Sequence, residues 1–220
     1  MLRTLIKKEF LLVGRAKNGL ASLLTLNLAF LFIFHFAMEK SEPLELERLL
    51  GFKWANVFLL SFVFIGQSLW EEREGGAYRI NQFYLESYLY YLVKSLVIAF
   101  FLLFFEIILI LLMSVFFPKF ELSSPGMLFD HMKYLTGGIL SLSFLGVTLG
   151  QMSQETRLKE IVLPILLIPF SLPIFLIGMG AERDFFLFRD SNWKSYLLLY
   201  AFSVFYASLG SLVQEMGINE

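Results

Sequence analysis

Glu106 is the residue with the most chemical leverage in this sequence. It stands in Phe104-Phe105-Glu106-Ile107-Ile108, past the midpoint of a long apolar run. An ionised carboxylate inside a membrane-spanning helix costs roughly 2.5–3.5 kcal/mol on insertion scales. Its side chain must therefore be protonated, paired, or turned toward a wet cavity. One reading makes it a gating or substrate-path residue. The commoner arrangement is a neutral glutamic acid hydrogen-bonded across a helix interface, here to Asn27 or Gln67.

Other reactive groups are sparse. There are two histidines, His35 and His131, and both lie near the outer ends of apolar runs. A di-histidine metal site requires them to meet. Haem ligation by one of them is chemically open, but a lone histidine is more often a polar interfacial residue, so no metal site is assigned. The chain has no cysteine, which removes disulfides, thiolate metal sites, a catalytic thiol and a C-x-x-C-H haem attachment. The pattern G-x-x-x-x-G-K-[ST] is absent, with no Gly-Lys pair anywhere, and H-E-x-x-H is absent too. A chain without a nucleotide-binding loop cannot hydrolyse nucleotide by that route. No Ser/His/Asp set stands out, and the chain is read as a non-enzyme.

The elements that must position these residues are six apolar runs, approximately 20–38, 54–70, 89–117, 132–150, 161–180 and 195–213. Each approaches the length of about 20 residues that a helix needs to cross a hydrocarbon core. Apolar residues make up 57% of the chain, 26 of them Phe, and mean hydropathy is +0.69. A soluble domain of this size would expose large apolar patches. The fold class is therefore all-α: one polytopic membrane domain over 1–220 with six transmembrane helices. Net charge is −1, so there is no basic footprint for nucleic acid; lipid is the partner that the composition names.

Residues 1–18 read as an interfacial amphipathic helix. Leu2, Leu5, Ile6, Phe10 and Val13 recur near helical spacing, with Arg3, Lys7, Lys8 and Arg15 opposite. Simple positive-inside flanking charge is the alternative. The apolar stretch that follows is longer than a signal-peptide core and lacks an A-x-A site, so it is read as a retained first span. Five Lys and Arg precede it (Arg3, Lys7, Lys8, Arg15, Lys17), against three in the next loop (Lys40, Arg48, Lys53). That contrast places both termini on the cytoplasmic side.

Span 2 ends at Trp70, an interfacial anchor, and the charged turn Glu71-Glu72-Arg73-Glu74-Gly75-Gly76-Ala77 follows. A second amphipathic segment, 78–86, leads into span 3, and Lys94 near the start of that span can snorkel to the interface. Span 4 carries Gly146 and Gly150 at the G-x-x-x-G spacing that lets helices approach closely, for packing or dimerisation. Span 5 holds Pro164, Pro169 and Pro173, each of which removes a backbone donor and kinks a helix. The freed carbonyls need other partners, and Ser171 could supply one. The connections 39–53, 118–131 and 181–194 read as short loops.

Two segments together carry a resemblance. The first is Glu72-Arg73-Glu74-Gly75-Gly76-Ala77 with the Leu-Val-Lys lead into span 3 ending at Lys94. The second runs from Leu145-Gly146 through Gln154-Glu155-Thr156-Arg157 to Leu163-Pro164-Ile165-Leu166-Leu167-Ile168-Pro169-Phe170-Ser171-Leu172-Pro173-Ile174. The chain resembles the cytochrome c maturation protein B family, the permease subunit of a haem exporter. One departure is Tyr84-Leu85-Glu86-Ser87, which lacks the proline of that family's usual Leu-Ser-Pro-like element. The resemblance implies a subunit of an ABC transporter in a bacterial inner membrane. It implies a separate ATPase subunit, other cytochrome c maturation proteins as neighbours, pairing with itself or a related permease, and haem as cargo. It also implies that Glu72, Glu74, Gly75, Gly76 and Ala77 couple the bundle to the ATPase. A type-2 exporter permease for a lipid, polysaccharide or drug, and a non-transporting scaffold, are the alternatives.

Overall fold

The computed structural model describes residues 2–15, 17–38, 46–74, 87–117, 120, 125–154, 159–188 and 193–216. In chain order the helices are α1 (Leu2–Arg15), α2 (Lys17–Met38), α3 (Leu46–Glu74), α4 (Ser87–Phe116), α5 (Pro125–Gln154), α6 (Lys159–Phe188) and α7 (Trp193–Met216). All of the secondary structure among the described residues is helical, as lipid requires of a chain that must satisfy its own backbone groups internally. Six helices, α2 to α7, contain segments long and apolar enough to span: Gly19–Ala37, Leu46–Trp70, Ser87–Phe116, Gly126–Ser153, Ile165–Phe188 and Trp193–Glu215.

Three helices reach about two turns beyond the apolar runs. Helix α3 starts at Leu46, α5 at Pro125, and α6 continues to Phe188. Arg48 and Lys53 therefore lie in α3, His131 in α5, and Glu182 in α6, where the sequence reads as connecting loop. The physical reason is pairing, described below: polar residues that neutralise one another can enter a span that hydropathy alone would end. The loop cations of the orientation argument are reduced accordingly, and Lys40 lies outside the described residues.

Helix α5 is the centre of the bundle, packed on α3, α4, α6 and α7. In its most apolar window 83% of residues are buried, against 17% for α2, so α5 meets protein where α2 meets lipid. Small residues make this possible. Gly146 faces Ile65, and Gly150 faces Leu69 and Ile65, so the G-x-x-x-G pair packs α5 onto α3 of the same chain. Hydroxyls then fasten the helices. The Tyr91 hydroxyl lies 3.1 Å from the carbonyl oxygens of both Phe144 and Tyr206, and Ser141 donates to the Leu199 carbonyl at 2.9 Å. Such interhelical bonds replace the hydrophobic drive that is missing between helices in lipid.

Helix α6 is assigned as a continuous helix through Pro164, Pro169 and Pro173. The bonds these prolines delete would have ended on the carbonyls of Glu160, Ile165 and Pro169. Ser171 instead donates to the Ile168 carbonyl at 3.0 Å, and Tyr206 of α7 donates to the Phe170 carbonyl at 2.9 Å.

The indole of Trp54 sits between two glycines. A Cβ at Gly138 of α5 would come 2.5 Å from Trp54 Cη2, and one at Gly178 of α6 would come 3.0 Å from Trp54 Cε2 with other ring carbons closer still. A rigid ring cannot yield as a flexible chain end can. Gly138→Ala and Gly178→Ala are each expected to lower stability by about 1–3 kcal/mol through overpacking, read as a reduced melting midpoint of the detergent-purified protein. Gly180→Ala, with nothing within 4 Å of its Cβ, is the control and should leave the midpoint in place.

Candidate functional site

Two buried polar clusters occupy opposite ends of the bundle. The first lies at the end that carries α1. On α1 the inward positions are Leu5, Glu9 and Val13, one turn apart, while Arg3 and Lys7 face outward. Phe10 packs against Phe100 and Phe101 of α4, with centroids 5.2 and 5.5 Å away. The apolar stripe of α1 is thus interrupted at its centre by a buried carboxylate that hydropathy does not single out; Ile6 is 38% exposed.

Glu9 lies 3.1 Å from Lys94 Nζ and 3.2 Å from Lys8 Nζ. Lys94 also lies 3.1 Å from Glu72 and 3.5 Å from the Ser68 carbonyl oxygen. Glu72 further pairs with Lys8 at 3.4 Å and accepts a hydrogen bond from the Tyr90 hydroxyl. Two carboxylates and two ammonium groups from α1, α3 and α4 therefore balance. Burial pushes the Glu72 carboxyl up, but Lys94, the Tyr90 hydroxyl and Lys8 together outweigh it and hold it below the ordinary value. Lys94 does not snorkel: it is 2% exposed, because its partners come to it.

Beside this cluster is a pocket of about 40 Å³, with Lys94, Glu72, Ser68 and Gln67 on its polar side and Leu20 and Phe64 on the other. One water needs about 10–15 Å³ of such space. The pocket is on the scale of a few waters, far short of the 300–1,000 Å³ or so of a small-molecule site.

Of the acidic-Gly turn, Glu72 is 4% exposed and directed inward. Glu74 is the last residue of α3. Gly75, Gly76, Ala77 and the amphipathic segment 78–86 lie outside the described residues.

The second cluster lies at the other end. Lys53 of α3 pairs with Glu182 Oε1 of α6. Trp54 Nε1 donates to Glu182 Oε2 at 2.9 Å, and His131 Nε2 of α5 lies 3.4 Å from Lys53 Nζ and 3.6 Å from Glu182 Oε1. Lys53, His131 and Glu182 are fully buried. The Lys53 ammonium also lies 5.1 Å from the Trp54 ring centroid, a cation–π distance. His35 packs instead among Phe36, Phe116 and Phe117. The two histidines thus have separate surroundings. Among the described residues no group of three or more His, Asp or Glu is placed to hold a metal.

Glu106 of α4 is 1% exposed, and neither of its oxygens has a hydrogen-bond partner among the described residues. The expected bond to Asn27 is displaced by one atom group: Asn27 Nδ2 donates to the Phe105 carbonyl at 3.4 Å, and Asn27 Oδ1 accepts from Asn56 Nδ2 at 2.8 Å. Gln67 is at the opposite end, against Gly19. A signal for the second cluster does exist in the sequence. Lys53-Trp54, His131 and Glu182 each flank an apolar run, but nothing in their spacing says that the three would meet.

A search of curated proteins finds no match. A protein-family model described as CcmB protein matches residues 1–218. This covers the six spans, both polar clusters and the acidic-Gly turn, in a family whose members are membrane subunits of the haem-export ABC transporter of cytochrome c biogenesis. The chain belongs to the CcmB family.

Proposed function

We propose that this chain is the permease half of an ABC complex in a bacterial inner membrane, with both termini cytoplasmic, and that it converts ATP hydrolysis on a separate subunit into rearrangement of the helix bundle. The outcome is export of haem or release of a haem-carrying chaperone on the far side. Other cytochrome c maturation proteins are its neighbours, and a second copy or a related permease completes the pathway, since six spans are few for a whole one.

The observation that carries this reading is the setting of Glu72. It lies in the last turn of α3, shortly before Glu74-Gly75-Gly76-Ala77, and its carboxylate is tied to α4 through Lys94 and Tyr90 and to α1 through Lys8. A force applied to the turn from outside therefore reaches three helices at once. Glu72 acts from within, as the anchor of the string that carries Glu74 to Ala77.

Deleting Glu71–Ala77 is expected to abolish copurification of the ATPase subunit while leaving the permease in the membrane, checked by affinity pull-down from detergent-solubilised membranes. Undiminished association would remove the coupling assignment. Cargo is tested separately: a strain lacking this chain should lose its c-type cytochromes, whereas their persistence would favour an exporter for another cargo.

A further inference from the structure

Helix α1 brings two adjacent charged residues, Lys8 and Glu9, to the cluster at its end of the bundle, and they close a ring. Oε1 of Glu9 and Oε1 of Glu72 lie 3.2 and 3.4 Å from Lys8 Nζ. Oε2 of each lies 3.1 Å from Lys94 Nζ. The four ion pairs alternate in sign around a closed circuit, and three of them cross between helices: α1 to α3, α1 to α4 and α3 to α4. Glu9, Glu72 and Lys94 are all buried, so salt screens their attraction little. Without Glu9 the circuit opens, and α4 keeps no ion pair of this ring with α1.

The ring sits where the acidic-Gly string leaves the bundle. Glu72 is in the last turn of α3, and Tyr90 and Lys94 are near the start of α4. At its other end α1 leads into α2, which begins at Lys17, two residues after α1 ends at Arg15. The pocket lies at this joint, between Leu12 and Val13 of α1, Gly19, Leu20 and Leu23 of α2, and Phe64 of α3. Protein interiors are close-packed, and a space of this kind between α1, α2 and α3 leaves room for one to turn against another. Helix α2 has few contacts to break in turning, since most of its surface meets lipid.

We propose that Glu9 is a positioning residue of the coupling element: by closing the ring it makes α1, the end of α3 and the start of α4 one body. Displacement of the acidic-Gly string then carries α1 with it and turns α2 about the joint between the two helices. The inference rests on the coupling reading above and extends it from the string to the N-terminal helix. Glu9→Gln keeps the shape of the side chain and leaves Lys94 paired with Glu72. What it removes is the ionic tie of α1 to α4, and α1 then holds the ring only through Lys8, which is partly exposed.

The test uses the permease purified with its ATPase subunit. The chain has no cysteine, so Leu20→Cys, at the pocket on α2, reports on the joint through its rate of labelling by a thiol reagent. Adding ATP is expected to change that rate several-fold. Glu9→Gln should abolish the change while the ATPase still copurifies, and Glu9→Asp, which keeps the charge, should return it. A response that persists in Glu9→Gln overturns the proposal. So does a response lost equally in both variants, or one absent with Glu9 intact. The coupling reading is scored apart, by ATPase copurification after deletion of Glu71–Ala77, so each fails by its own result.

A second measurement needs no change at Glu9. Phe10→Cys and Phe101→Cys, joined by a short bifunctional thiol reagent, pin α1 to α4 where the rings now meet. If the two helices move as one body, the cross-linked complex should hydrolyse ATP at the rate of the untreated one. Arrest would mean that α1 must part from α4 during the cycle, and it overturns the proposal.

Discussion

Lys53→Met is expected to destabilise the bundle by about 3–5 kcal/mol, the largest effect of any single side chain outside the apolar core. The size follows from what is left behind. Removing one member of a buried ion pair strands the other, and the penalty is that of the unpaired charge rather than of the lost attraction. Here Glu182 would keep the Trp54 N–H, 2.9 Å from its Oε2, and the neighbouring His131 Nε2, 3.6 Å from its Oε1, but no permanent cation. The double change Lys53→Met/Glu182→Met should recover most of the loss, because a buried pair replaced by apolar residues of similar volume is often neutral. The measurement is the melting midpoint of the purified protein for both singles and the double. A double variant no better than Lys53→Met would mean that the pair contributes through packing and not through charge.

Lys94→Met is expected to release α1 from the bundle. Lys94 is the cation shared by Glu9 and Glu72, at 3.1 Å from each. Without it the two buried carboxylates retain Lys8, whose side chain is 32% exposed and screened by solvent. The cysteine-free sequence permits a direct readout. Phe10→Cys and Phe101→Cys stand where rings now meet at 5.5 Å, so oxidative cross-linking of that pair reports α1 docking. Cross-linking should be efficient in the otherwise native chain and largely lost with Lys94→Met; equal yields would show that the aromatic contacts alone hold α1.

Acid should act in the same direction. The folded Glu72 carboxyl lies below its ordinary value of 4.5, so its contribution is fully present above that value. It is lost as pH falls through the lower folded value. Cross-linking with a pH-independent reagent should therefore hold to below about pH 4.5 and then decline. In Lys94→Met the decline should move to higher pH, because burial, which raises the carboxyl, is then opposed by less.

The membrane class and the number of spans are legible in the sequence because they depend on length and composition alone, and the family is legible through its motifs. Twenty apolar residues in lipid have almost no alternative to a helix. The acidic-Gly turn and the proline-rich fifth span are local strings, readable without knowing what they touch. Glu106 is legible as an anomaly for the same reason: a carboxylate among Phe and Ile is costly wherever its neighbours lie.

The partners of these residues were decided by tertiary structure. Hydropathy cuts a helix at the first charge, so Lys53, His131 and Glu182 read as loop residues, and Lys94 reads as a residue reaching for water. Each is buried because a counter-charge arrives from a helix distant in the sequence, Glu182 for Lys53 and Glu9 with Glu72 for Lys94. Glu9 reads as one polar residue in an amphipathic helix, and only the placement of α1 against α4 makes it the centre of a cluster. The energy of a polar side chain in lipid depends on what faces it across a helix interface, and that quantity is a property of the assembled bundle and not of any window of sequence.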